Sequence, residues 1–108
     1  MDQHAIVIAD TNGIIQLWSA GAAALFGYPA GDAVGKKLDL IVPEQFRAAH
    51  WAGFGRAMCS ATATGEGTFF SAPVLCRSGE TREFRGQFQL LRNESKEAIG
   101  AMAIFTSA

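Results

Sequence analysis

Two cysteines, Cys59 and Cys76, are the whole thiol content of the 108-residue chain. They stand in unrelated contexts and imply no disulfide framework, so free thiols in a reducing cytoplasm are expected. With His50 they give the spacing His-x8-Cys-x16-Cys, which matches no compact zinc motif. A surplus of charge is missing too, with 9 Lys and Arg against 10 Asp and Glu, a net of −1. Binding nucleic acid by charge needs a basic face, so no direct nucleic-acid partner is expected. The apolar runs are short and broken by charges or glycines, which excludes a transmembrane helix and a membrane partner of that kind. Met1 to His4 has no basic region and Asp10 interrupts the first apolar run, so no signal peptide is read and a cytoplasmic location is expected. No nucleophile–base pair, phosphate-cradling glycine loop or pair of carboxylates occurs at a recognised spacing, and the chain is not expected to be an enzyme. Repeats, linkers and low-complexity tracts are also absent, and residues 1–108 read as one domain.

What the chain does have is one stretch that combines helix signals with a potential ligand, Pro43 to Met58, PEQFRAAHWAGFGRAM. Proline fits the first turn of a helix without losing a needed hydrogen bond, and Glu44 favours the positive helix end. At about 100° per residue, Phe46, Ala49, His50, Gly53, Phe54 and Ala57 share one apolar stripe, with Gln45, Arg47 and Arg56 off it or on its borders. His50 therefore faces inward. Gly53 and Gly55 each cost about 1 kcal/mol against alanine in a helix. A helix that accepts both is either closely packed or mobile, and it reads as a lid.

The other elements follow from turn and capping chemistry. Ala5 to Ala9 is a short apolar strand, and the Asn12-Gly13 pair predicts a tight hairpin turn into a returning strand, Ile14 to Trp18. Ser19 caps a short buried helix that ends at Gly27. Pro29 to Lys37 reads as turns and one-turn helices, and Leu38, Leu40, Ile41 and Val42 carry core contacts into the Pro43 helix. Beyond Met58, CSATATGEG is a loop. Thr68 to Cys76 is a strand that Pro73 confines to an edge or a bulge. Thr81 to Arg92 alternates, with Phe84, Gly86, Phe88 and Leu90 on one face and Arg85, Gln87 and Gln89 on the other. Asn93 to Glu97 turns the chain into a last strand, Ile99 to Phe105. Two strands, a helical block and a three-strand meander predict an α+β fold, an antiparallel sheet with helices on one face. The rings of Trp18, Phe54, Phe69, Phe70, Phe84 and Phe88 indicate an apolar core with room for a small apolar ligand.

This order, with Asp10-Thr11-Asn12-Gly13-Ile14-Ile15, Trp18-Ser19, Ala23, Leu25-Phe26-Gly27-Tyr28, Val34-Gly35, Pro43-Glu44 and Arg77-Ser78-Gly79-Glu80 at its corners, resembles a PAS domain. The resemblance runs from about Ala5 to Phe105 and implies the PAS fold, a five-stranded antiparallel sheet that encloses a small cavity with its flanking helices. It also implies a sensory role in signal transduction, in which a ligand, cofactor or partner is sensed for an attached output domain. For this chain that output is expected to be a transcription regulator or a sensor kinase of a two-component system.

Within that family, IIQLWS, ALFG and PEQFRAAHWAGFGR are similar to the haem-binding PAS domains of oxygen-sensor histidine kinases. The likeness implies His50, in the pattern Pro43-Glu44-Gln45-Phe46-Arg47-Ala48-Ala49-His50, as an axial haem ligand, and Arg56 also falls at a matching position. Those sensors carry an oxygen-binding arginine on the next strand, where this chain has Phe70. The Asp-Ile-Thr that ends many PAS domains is absent, and Phe105-Thr106-Ser107 stands in its place. Flavin-sensing relatives need an Asn-Cys-Arg-Phe motif before the long helix, where this chain has Leu38-Asp39-Leu40-Ile41. Two other roles for His50 stay open, a bond to a backbone carbonyl at the cavity rim and a wall position beside a small molecule. The expected cavity lies between the Pro43 helix and the inner sheet face, bordered by His50, Phe54, Met58, Phe70, Phe84, Phe88 and Met102. A ligand-free dimerisation module is the alternative if the rings fill that space.

The final strand adds one expectation. Ile99, Ala101, Ala103 and Phe105 point one way, and Met102 and Ile104 the other. Apolar residues on both faces, beside a strand with a polar outer face, predict a homodimer through the outer sheet face near Met102 and Ile104.

Overall fold

The computed structural model describes residues 4–106. Strand β1 (His4–Asp10) turns into β2 (Ile15–Trp18), and the chain then passes through α1 (Ala20–Phe26), α2 (Ala30–Ala33) and two 3-10 turns, Leu38–Leu40 and Glu44–Phe46. Helix α3 (Arg47–Ser60) follows, and β3 (Phe70–Leu75), β4 (Thr81–Arg92) and β5 (Ala98–Thr106) complete one antiparallel sheet in the order β2-β1-β5-β4-β3. The helical block crosses between β2 and β3, the two edges of the sheet, so α3 spans the face whose centre is β5.

The hairpin forms where Asn12-Gly13 predicted it, but by a different turn. Among the described residues with positive φ, Gly13 appears at +76° and Asn12 does not. Gly13 N–H donates to Asp10 O at 3.0 Å, and the Asp10 carboxylate accepts from the N–H groups of Asn12 and Ile14. An Asx turn with one left-handed residue therefore replaces a two-residue turn. Ser19 caps α1 as read, accepting from Ala22 N at 3.1 Å, and also accepts from Ile6 N at 2.8 Å. One hydroxyl thus fixes both the helix start and its place against β1.

The Pro43 helix is shorter at its start than the sequence suggested. Pro43 heads a 3-10 turn, and the α-helix begins at Arg47 and runs on to Ser60. At the break, the Nε and Nη2 of Arg47 donate to the carbonyls of Val42 and Asp39 and so tie the helix to the preceding turn. Strand β3 is an edge strand, as Pro73 requires, and spans less than the predicted Thr68 to Cys76.

The core follows strand parity. Ala5, Val7 and Ala9 of β1, Ala72 and Val74 of β3, Phe84 and Leu90 of β4, and Phe105 of β5 are buried. Phe26 meets Phe84 and Phe105 edge-on at 5.2 and 5.4 Å, and Trp18 packs on Phe26 while its indole N–H donates to Tyr28 O. Burying each such ring stabilises the fold by about 1.5–3 kcal/mol. Two aromatic or aliphatic expectations fail. Phe69 is exposed, with the Arg85 guanidinium 4.2 Å above its ring. Ile99 is exposed because it is the extra residue of a β-bulge, Leu91 pairing with Gly100 and Arg92 with Ala98.

Candidate functional site

A cavity of about 1000 Å³ lies between α3 and the inner sheet face. The predicted stripe supplies one side of it: Phe46 from the 3-10 turn and Ala49, His50, Gly53, Phe54 and Ala57 from α3 all border the space. The sheet supplies the floor through Val7 and Ala9 of β1, Phe70, Ala72 and Val74 of β3, Phe88 and Leu90 of β4, and Ala101, Ala103 and Phe105 of β5. Leu38, Ile41, Val42 and Pro43 close one end, and Ser60, Thr62, Ala63 and Thr64 the other. The wall is mostly apolar, with His50 and Arg56 its ionisable side chains.

Of the residues expected here, His50, Phe54, Phe70 and Phe88 border the cavity, and Met58 and Phe84 do not. Met58 stands about 140° around the helix from Gly53 at 100° per residue, away from the cavity stripe. Phe84 points inward from β4 but is held in the main core by Phe26. Met102 lies on the cavity border, yet the pairing register sets it opposite Ile8 and Gln89, so its side chain belongs to the outer face. Ile104, opposite Ile6 and Gln87, shares that face, and the exposed Leu17, which pairs with Ile8, continues it.

His50 is set by aromatic neighbours, the Trp51 ring edge-on at 5.0 Å and the Phe54 ring tilted at 5.9 Å. Burial lowers its pKa from the ordinary 6.5, and Asp39 nearby offsets part of the shift. The imidazole is therefore neutral at pH 7, and its Nδ1 is buried without a hydrogen-bond partner among the described residues. The carbonyl bond considered for this histidine is not made by that atom.

Sequence reasoning missed Trp51, which lies off the stripe. Its indole N–H donates to Asp39 Oδ1 at 2.6 Å, and its ring rests on Gly13. The first half of α3 is thus anchored through Arg47 and Trp51. Gly53 and Gly55 have no neighbour that would exclude a Cβ, so close packing does not explain them. The far end is tied differently. Arg92 donates to Glu66 at 2.7 Å and to Ala61 O, and Glu66 also accepts from Leu90 N. The Arg92 guanidinium holds the Glu66 carboxyl below its usual range.

Among the described residues no group of three His, Cys, Asp or Glu side chains is placed to hold a metal ion, and no helix is long and apolar enough to cross a membrane. A family model described as the PAS fold matches residues 2–108. The chain belongs to the PAS family. Its fold is shared with the PAS domain of a protein from Colwellia psychrerythraea, at a TM-score of 0.81 and 20% identity over 97% of this chain and 86% of the other. The PAS domain of the quorum-sensing receptor RpfR from Cronobacter turicensis, solved in complex with C12:0, gives a TM-score of 0.70 and 16% identity, covering 97% and 92%. At these identities the likeness is one of fold. The sensor protein FixL of Bradyrhizobium diazoefficiens is 39% identical over 46 residues, 43% of this chain and 9% of that relative. The matched segment covers about a tenth of the length of that curated relative, and the α+β fold and sensory class of this PAS domain agree with the resemblance read from the sequence.

Proposed function

We propose that this PAS domain is a non-catalytic sensor that takes a small, largely apolar ligand between α3 and the sheet. It passes the bound state to an attached output domain, a sensor kinase or a transcription regulator, in a cytoplasmic setting. The observation that carries this reading is the cavity of about 1000 Å³ with its apolar wall, at the upper end of the usual range for small-molecule sites. The neighbour of like fold that holds C12:0 supports it. A ligand that binds only the native state stabilises it by about 2.7 kcal/mol at a hundredfold excess over Kd. A screen of small apolar molecules should raise the melting temperature with some of them. A crystal structure with the interior packed solid, or a screen without one stabilising compound, overturns the reading. The apolar strip of Ile6, Ile8, Leu17, Met102 and Ile104 on the outer face supports a homodimer as the working form.

His50 supports a second reading, a haem-based gas sensor. A neutral imidazole on the wall of a large cavity fits a single axial ligand. The Pro43 to His50 pattern points the same way. Haem would supply an iron able to take a diatomic gas, and this chain would contribute His50 and the apolar walls around it. An absorption spectrum of protein from cells supplied with haem precursor tests this. A Soret band that His50→Ala abolishes supports it, and a protein that stays colourless through a hemin titration removes it.

A further inference from the structure

We infer that the ligand is an amphipathic monocarboxylate whose head group is held by Arg56 at the edge of the cavity. The inference rests on the proposed use of the cavity and adds the charge of what enters it. Arg56 is the one Lys or Arg on the cavity wall, and no Asp or Glu borders the space. An anion there meets attraction without a competing repulsion.

The arginine is also free to act. Arg47 is held by the carbonyls of Val42 and Asp39, Arg92 by Glu66, and Arg82 and Arg85 lie over the rings of Phe84 and Phe69. Among the described residues the Arg56 guanidinium has no hydrogen-bond or ion-pair partner. Its Nη2 lies 3.8 Å from the point where a side chain on Gly53 would begin. The guanidinium therefore folds back along the helix over a bare position that itself borders the cavity.

One guanidinium without a second cation on the wall matches a single negative charge, and its planar fork matches the two oxygens of a carboxylate. Thr62 and Thr64 border the same end of the space, just past α3, where the Thr62 hydroxyl pairs with Ser60 Oγ at 3.0 Å. The buried residues Val7, Ile41, Val74 and Phe105 offer an apolar bed for the rest of the ligand.

Calorimetric titration with decanoate and with 1-decanol, both below their aggregation limits, tests the assignment in wild type, Arg56→Gln and Arg56→Lys. The quantity read is the ratio of the Kd for decanoate to that for 1-decanol, which cancels the contribution of the common chain. Arg56 is exposed and its attraction is screened, so the expected rise in that ratio in Arg56→Gln is modest, about fivefold at low salt. Arg56→Lys should recover part of it. A ratio that Arg56→Gln leaves unchanged, with both compounds bound, overturns the carboxylate assignment while the apolar cavity stands. If wild type binds neither compound, the carboxylate assignment falls, and an empty screen of neutral molecules beside it would take the cavity reading as well.

Discussion

The Trp51 ring occupies the space that a side chain on Gly13 would need, and its N–H is held by Asp39 at 2.6 Å. A residue of the long helix thus closes over the first hairpin turn, which is built around a left-handed glycine at φ +76°. The two positions must answer to each other.

Gly13→Ala is expected to cost about 2–3 kcal/mol, from left-handed strain and from overlap with the ring. In a Trp51→Ala background the overlap is gone, and the same change should cost only about 1 kcal/mol. Urea denaturation of the four proteins measures the coupling. Equal costs in both backgrounds would show that the ring contact carries no energy.

Acid should weaken the fold through His50. Burial depresses its folded pKa below the 6.5 of an open histidine, so above that value both states are neutral and the contribution is fully present. As the pH falls through 6.5 the unfolded chain takes up the proton first, and stability declines until the folded pKa is passed. His50→Leu should remove that decline below pH 6.5. The comparison is made by the urea midpoint in the two proteins. A wild-type midpoint as flat as that of the variant would mean that the imidazole is solvated in solution. Glu66, lowered from 4.5 by Arg92, contributes its own loss only at lower pH.

The outer face is expected to hold two copies together. Met102 and Ile104 sit among Ile6, Ile8 and Leu17 there, with Gln87 and Gln89 as a polar border. Sedimentation of wild type should show a dimer in the micromolar range, and Met102→Glu/Ile104→Glu should give a folded monomer. A wild-type monomer at high concentration, or a dimer that survives the double change, removes this surface from consideration.

Much of the architecture was readable because it rests on local chemistry. The Ser19 cap, the Pro73 edge strand and the alternation of Thr81 to Arg92 each depend on residues a few positions apart, and each stands where the pattern put it. The five stripe residues within α3 face the cavity for the same reason, since helical periodicity is a property of the segment itself.

What failed depended on partners distant in the chain. Where the α-helix starts, carbonyls of the preceding turn hold the Arg47 side chain, and Ile99 is exposed because pairing with β4 leaves it as a bulge. Periodicity put Phe84 on the right face but could not say that Phe26 would take it into the core. Trp51 carried no sequence signal, since its role needs Gly13 and Asp39 brought together by the fold. Within regular helix and strand the amino-acid sequence determined most of the residues that face inward, because facing there follows from backbone periodicity. The tertiary structure decided which inward residues meet one another and which are left facing open space, because the volume between a helix and a sheet depends on contacts that no single segment contains.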